Sequence, residues 1–182
     1  MKKLAVFMIF VLAVCITGCG NVTEEVQTWF TSQSVSSIDY DLDGAVGSAE
    51  FTYYSKTNTR LHFTSGEGLE GVSFTLTDGS ATATLDGLEW HTEPEMVQLL
   101  SLFGEVYSLA SQQTYTVTRK NTEGEKENAV VTDTFEYTDG ALEVSFMKED
   151  LRPTRIKYTK NGTAVTLDIK DIKLLNTSEE EK

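Results

Sequence analysis

The stretch TRIKYTKNGTAVTLDIK, residues 154–170, decides the fold class of this chain. Apolar and polar residues alternate along it with a period of two, which is typical of a β-strand with one face against a core. Asn161-Gly162 divides the stretch, and this dipeptide accepts the positive φ angles of a tight hairpin turn. Because so short a connection can join only antiparallel strands, the segment predicts an antiparallel hairpin.

The same alternation recurs along most of the chain, punctuated by further turn dipeptides. Asp-Gly pairs at 43–44, 78–79, 86–87 and 139–140 mark more hairpins. The apolar phase shifts near Lys170-Asp171, which predicts a β-bulge. The predicted strands lie near residues 36–43, 46–54, 59–65, 71–77, 80–86, 113–120, 130–138, 141–148, 153–160, 163–170 and 171–175.

One segment has the periodicity of a helix rather than a strand. HTEPEMVQLLSLFGEVYSL, residues 91–109, places its apolar residues three and four positions apart. Thr92 and Glu95 have the spacing of a capping box, and Gly104 is expected to end or interrupt the helix. We therefore predict a helix over residues 93–103.

A second helix is predicted near the N-terminus, in residues 20–35. Thr23 precedes Glu24 and Glu25, an order that suits the start of a helix. Four apolar residues fall on one face of it: Val22, Val26, Trp29 and Phe30. The segment is interpreted as a tether that can become a helix.

The first residues have the plan of a secretory signal. Two lysines precede an apolar run over residues 4–14, and small residues precede Cys19. The run is too short to span a bilayer comfortably. Ile16-Thr17-Gly18-Cys19 resembles a bacterial lipobox, which implies that Cys19 is lipidated and begins the mature, membrane-anchored protein. The alternative is an ordinary signal peptide or a short transmembrane anchor in which the cysteine is accidental.

Composition and charge limit the possible functions. The chain has 182 residues, of which 40% are hydrophobic and 10% aromatic, as expected for one globular domain. Its formal net charge is -13, and removal of the two lysines of the signal changes this to 13 - 28 = -15. Because an acidic chain repels nucleic acid, no nucleic-acid partner is expected.

The sequence contains no recognisable catalytic constellation. The two histidines, His62 and His91, do not have the spacing of metal ligands. No cysteine follows Cys19, which excludes thiolate metal sites and cysteine nucleophiles beyond that position. We therefore expect a protein that is not an enzyme and that needs no cofactor.

One acidic stretch leaves two interpretations open. DYDLDGAVGSAE, residues 39–50, matches the calcium-loop pattern D-x-D-x-D-G-x5-E, with Asp39, Asp41, Asp43 and Glu50 as candidate ligands. The sequence after it favours a strand over the helix that such a loop needs. A hairpin is therefore favoured, and calcium binding is kept as the alternative.

The ending LRPTRIKYTKNGTAVTLDIKDIKLLN and the upstream FTSGEGLEGVSFTLTDG resemble the LolA-like fold of periplasmic lipoprotein carriers and of the mycobacterial lipid-binding lipoproteins LppX and LprG. The resemblance implies a mainly β fold with a few helices, a curved antiparallel meander or unclosed half barrel with a central helix. It also implies an apolar cavity for acyl chains. The corresponding layout is a signal peptide at 1–18, a lipidated tether at 19–35, a β domain at 36–176 and a charged tail at 177–182.

These observations favour an extracytoplasmic protein, lipid-anchored to the bacterial cell membrane, that binds a lipid, an acyl chain or another hydrophobic small molecule without catalysis. The alternative is a surface-displayed structural or protein-interaction module, with or without the calcium loop. Plain core packing is an equally good explanation of each candidate lining residue. The candidate cavity lining is apolar and comes from the inner strands and the central helix: Phe51, Tyr53, Leu61, Phe63, Phe74, Leu76, Met96, Leu100 and Phe103.

Overall fold

The computed structural model describes residues 22–66, 68–115 and 129–175. Within these residues the chain forms two helices and ten strands, which run in sequence as α1 (Val22–Thr31), β1 (Ser34–Leu42), β2 (Ala45–Ser55), β3 (Asn58–Ser65), β4 (Ser73–Thr77), β5 (Ser80–Leu85), β6 (Leu88–His91), α2 (Pro94–Ser111), β7 (Val130–Tyr137), β8 (Gly140–Met147), β9 (Pro153–Lys160) and β10 (Thr163–Leu174).

The strands form one antiparallel sheet that does not close. Their order is β6-β5-β4-β3-β2-β1-β10-β9-β8-β7, so β6 and β7 are the edges of the sheet among the described residues, and β1 pairs with β10 in the middle. Helix α2 contacts β2 to β5 and also β8, and α1 packs on α2. This is the unclosed antiparallel meander with a central helix that the sequence predicts, and the predicted mainly β fold class is confirmed.

Four turn dipeptides form the predicted hairpin turns. Both residues have positive φ in each of the pairs 43–44, 78–79, 86–87 and 161–162, as type I′ turns require. The remaining pair, Asp139-Gly140, is displaced, because Gly140 is already the first residue of β8. An added Cβ at Gly140 would collide with the carbonyl oxygen of Thr159 on β9. This glycine therefore serves close strand packing rather than turn formation.

The predicted bulge lies within β10. The residues that pair with β1 skip from Ile169 to Asp171, which leaves Lys170 as the extra residue. Because of this insertion, Ile169 and Ile172 both face the core and are 6% and 5% exposed. The shift in apolar phase in the sequence thus corresponds to a β-bulge in the structure.

Helix α1 is confirmed together with its apolar face. Val26 and Phe30 are fully buried, and Val22 and Trp29 pack partly against the core. Thr23 lies inside the helix rather than before it, and its hydroxyl donates to the carbonyl oxygen of Tyr115 over 3.0 Å. This bond ties the start of α1 to the residues that follow α2.

Helix α2 is longer than predicted. It runs from Pro94 to Ser111 without a break, so the expectation that Gly104 ends or interrupts it is wrong. An added Cβ at Gly104 would lie 2.5 Å from the carbonyl oxygen of Lys56. The glycine therefore allows the helix to approach the turn between β2 and β3 closely.

The predicted capping box does not form. The N-cap of α2 is Glu93, and its side chain makes no capping hydrogen bond. The hydroxyl of Thr92 donates instead to the carbonyl oxygen of Ala81, over 3.2 Å. Thr92 therefore fixes the segment between β6 and α2 to the neighbouring strand β5.

Several predicted segments differ from the structure or fall outside its described residues. Residues 113–115 of the strand predicted at 113–120 are not in a strand, and the rest of that segment is outside the described ranges. The signal, Cys19 and the tail at 177–182 also lie outside them. In the part of the chain that the structure describes, no helix is both long and apolar enough to cross a bilayer.

Candidate ligand-binding site

A row of paired side chains crosses half of the sheet on its concave face. The strand registers place its members next to one another from the centre of the sheet to the free edge: Ser36, Phe51, Leu61, Phe74, Ala83 and Trp90. The members from Ser36 to Ala83 are buried, whereas Trp90, at the edge, is 45% exposed. The row that builds the core is therefore open at its outer end.

Helix α2 covers the inner part of this row. The rings of Phe103 and Tyr107 lie 5.5 Å and 4.9 Å, centroid to centroid, from the ring of Phe51. The hydroxyl of Tyr107 is 3.0 Å from that of Ser36. Burial raises the pKa of Tyr107 to about 12, and the hydrogen bond with Ser36 opposes part of this rise. This part of the interior is tightly filled and holds a neutral tyrosine.

Eight of the nine candidate lining residues are buried, and Met96 is partly buried. Several are fully enclosed by other aromatic or aliphatic side chains: Phe51, Leu61, Phe63, Leu76, Leu100 and Phe103 are each at most 1% exposed. Two of the nine, Phe74 and Met96, also line a cavity. The structure thus brings the nominated residues together in one core, and Phe74 and Met96 border open space at its outer end.

The cavity has a volume of about 310 Å³ and lies between β4, β6 and the first turn of α2. Its lining is predominantly apolar, and its walls are Phe74, Trp90, His91, Thr92, Glu93 and Met96. Phe74 and Trp90 belong to the row of side chains described above, and Met96 is contributed by α2. A mostly apolar hollow with a few polar groups at its rim is the usual composition of a small-molecule site.

The edge strand beside the cavity carries exposed apolar side chains. Leu88 and Trp90 are two residues apart on β6 and therefore point to the same face of the sheet. Leu88 is 72% exposed and Trp90 is 45% exposed. Within the described residues β6 pairs only with β5, so this edge is open on its other side. Exposed apolar surface on β6 therefore lies next to Trp90, which is also a wall of the cavity.

The rim beside the helix is acidic. Glu93 lines the cavity, is exposed, and makes no ion pair with another described residue. Its backbone carbonyl accepts hydrogen bonds from the amides of Met96 and Val97. Among the described lining residues there is no lysine or arginine. The charge that the rim presents to a ligand is therefore negative.

The acidic stretch at residues 39–50 is a β-hairpin, the interpretation that the sequence favours. Its carboxylates have separate partners: Asp39 pairs with Lys170 at 2.9 Å, Asp41 accepts from the amide of Gly44, and Asp43 accepts from the amide of Ala164. The bond with Lys170 is the main cause of a lowered pKa of Asp39. Glu50 lies exposed on β2. Among the described residues, no group of three or more His, Cys, Asp or Glu side chains converges as a metal site would require.

The sequence reasoning missed Trp90 and Glu93 as site residues. Both follow the predicted Asp86-Gly87 turn, and LEWH alternates as a short strand would. Four residues are too few for periodicity to be decisive, particularly when a helical pattern follows at once. A hairpin turn requires a second strand, and that requirement was the signal that could have found β6.

Comparisons with known proteins bear on the fold. No protein-family model matches the chain, and no curated protein matches it. Among solved structures it is similar to LprF from Mycobacterium bovis, with 11% identity, a TM-score of 0.44 and coverage of 85% of this chain and 96% of that one. It is also similar to an uncharacterized conserved protein from Thermus thermophilus, with 12% identity, a TM-score of 0.43 and coverage of 87% and 88%. A LolA superfamily protein from Nitrosomonas europaea has 9% identity, a TM-score of 0.37 and coverage of 85% and 92%. At such identities the similarity concerns the fold alone.

Proposed function

We propose that this chain is an extracytoplasmic protein, anchored to a bacterial membrane through Cys19, that binds one apolar or amphiphilic chain without catalysing a reaction. The observation that carries the proposal is the apolar cavity at the open end of the concave side-chain row, between Phe74, Trp90 and Met96. Its lining combines apolar walls with a polar rim, which suits a ligand that has an apolar tail and a polar head.

The size of the cavity limits the ligand. A volume of about 310 Å³ is at the lower end of the range of roughly 300–1,000 Å³ typical of small-molecule sites. The deeper interior, around Phe51 and Phe103, is occupied by packed side chains. The proposed ligand is therefore a single chain or one arm of a lipid, rather than several acyl chains enclosed together.

The proposed anchor would hold the folded domain near the membrane. Helix α1 starts at Val22, only three positions after Cys19, and a fully extended chain spans about 3.5 Å per residue. The start of α1 would thus lie within about 10 Å of a lipidated cysteine. A protein held this closely acts at one membrane rather than as a carrier between two.

A structural or protein-interaction module remains the second candidate, and one observation favours it. Most of the nominated lining is closed core, with six of its members at most 1% exposed. A module that only displays a surface needs such a filled interior and no ligand. The two candidates differ in whether the cavity at Trp90 takes up a molecule.

The test is native mass spectrometry, with organic extraction, on residues 20–182, which contain every described element of the fold. The proposal predicts a co-purifying lipid, or uptake of one offered lipid, at a stoichiometry of one. Met96→Glu places a charge inside the cavity and should abolish uptake, because a buried unpaired charge is strongly unfavourable next to an apolar chain.

Val46→Glu is the matched control. Val46 is 66% exposed on β2, away from the cavity, so the same introduced carboxylate should leave uptake unchanged. An apo mass with no uptake of offered lipids would refute the binding function and favour the interaction module. Equal loss in both variants would show that the effect is not specific to the cavity.

A further inference from the structure

We propose that the cavity prefers ligands with a cationic ammonium head over ligands with an anionic head. This inference rests on the proposed binding function and adds the chemical class of the ligand. Three features of the site support it: the carboxylate of Glu93, the small number of free amides at the N-terminus of α2, and the aromatic rings of Phe74 and Trp90 in the lining.

The charge of the rim opposes an anionic head. Glu93 lines the cavity without an ion-pair partner among the described residues, and the chain as a whole carries a formal net charge of -13. An anionic head entering the rim would approach an uncompensated carboxylate. A cationic head would instead supply the partner that this carboxylate lacks.

The N-terminus of α2 does not reverse this preference. A helix N-terminus normally favours anions because its first amides are free to donate. Here Pro94 has no amide hydrogen, and the amides of Met96 and Val97 already donate to the carbonyl oxygen of Glu93. The helix end thus retains few donors, and the carboxylate of its N-cap residue, Glu93, adds a negative charge there.

The aromatic walls favour an ammonium group directly. The faces of tryptophan and phenylalanine attract cations through the negative potential above their rings, and tryptophan does so most strongly. Trp90 and Phe74 both border the hollow, and Glu93 borders it as well. Aromatic faces combined with a carboxylate are a suitable environment for a desolvated trialkylammonium group.

The experiment compares three amphiphiles that share one tail: decyltrimethylammonium, decyl maltoside and decyl sulfate, each below its micelle concentration. Isothermal titration calorimetry on residues 20–182 measures each affinity. We expect the ammonium compound to bind about tenfold more tightly than the neutral maltoside, in line with one partly exposed cation–π and charge contact. Decyl sulfate should bind more weakly than the maltoside.

Glu93→Gln should reduce the ratio of the affinity for the ammonium compound to that for decyl maltoside about threefold to tenfold. The matched control is Glu89→Gln, which removes the same charge from the neighbouring strand β6. Glu89 is exposed and is not among the residues that line the cavity. General attraction of a cation to an acidic protein would be reduced equally in both variants, whereas a contact at the rim would be reduced only in the first.

The outcomes separate this inference from the function on which it rests. Binding of the ammonium compound in preference to the other two, with loss of the preference in Glu93→Gln alone, would support the inference. Similar affinities for all three compounds, or tighter binding of decyl sulfate, would overturn the inference and leave the binding function intact. Failure of all three to bind would overturn both.

Discussion

The substitution Gly104→Ala separates local helix propensity from tertiary packing. In an exposed helical position, alanine stabilises a helix by about 1 kcal/mol relative to glycine. At Gly104 the added Cβ would lie 2.5 Å from the carbonyl oxygen of Lys56, 3.3 Å from its carbonyl carbon and 3.4 Å from Cγ2 of Thr59. Two of these three atoms are backbone atoms of the β2–β3 turn, which cannot rotate away as a side chain could.

The expected net effect is destabilising. Inserting a methyl group into a packed interface costs roughly 1–3 kcal/mol, and a collision with backbone places the cost in the upper part of that range. After the gain of about 1 kcal/mol in propensity, Gly104→Ala should unfold with a free energy lower by about 1–2 kcal/mol. For a chain of this length the melting temperature should fall by about 2–4 °C for each kcal/mol.

Urea denaturation of residues 20–182 measures this difference. The control pair is Gln98→Gly and Gln98→Ala, at an exposed position of the same helix. The difference between these two variants measures helix propensity alone, and the alanine variant should be the more stable by about 1 kcal/mol. If Gly104→Ala were more stable than the unmodified chain, the close approach of α2 to Lys56 would be refuted.

Three further predictions address other parts of the molecule. Burial raises the pKa of Tyr107 from 10.0 to about 12 in the folded protein. Between pH 10 and 12 the tyrosine ionises in the unfolded chain but not in the folded one, so the free energy of unfolding should fall over this interval by up to about 3 kcal/mol. Tyr107→Phe should therefore lose less stability over that interval, measured by urea denaturation at alkaline pH. At neutral pH the substitution should cost about 1 kcal/mol, because Ser36 loses its hydrogen-bond partner. If the stability of both proteins fell equally with pH, another group would be responsible. Millimolar calcium should leave the melting temperature unchanged, because the carboxylates of Asp39, Asp41 and Asp43 already have other partners; a rise that disappears in Asp41→Ala would instead establish the calcium alternative. Cys19→Ser should abolish incorporation of labelled palmitate in a bacterial host, and incorporation that persists in this variant would refute the proposed anchor.

The sequence predicts the strands of this fold well because each depends on short-range signals. The apolar alternation of residues 154–170 and the turn at Asn161-Gly162 act within a single hairpin, and the hairpin forms where they indicate. The bulge at Lys170 is likewise visible as a shift in phase. Such features follow from local backbone geometry and require no knowledge of the rest of the chain.

The features that sequence patterns do not predict depend on distant parts of the chain. Gly104 was expected to weaken a helix, and its role is set by Lys56, which lies on a different hairpin. Trp90 borders the cavity only because five strands bring a row of side chains to the free edge. Whether a buried phenylalanine lines a cavity or fills a core depends on its neighbours. The sequence pattern therefore indicates which residues point inward, and it does not predict where space remains between them.

The pairing of β1 with β10 has a consequence for how the molecule is made. The first and last strands meet in the middle of the sheet, where Ile38 lies beside Ile169. Each flanking meander can form through local hairpins, but the seam between them cannot form until β10 has been synthesised. Such high contact order slows folding, and until the seam closes both meanders present an unpaired strand to their surroundings. A truncation before residue 163 would therefore remove a strand from the centre of the sheet rather than from its border, and would leave two separate half-sheets.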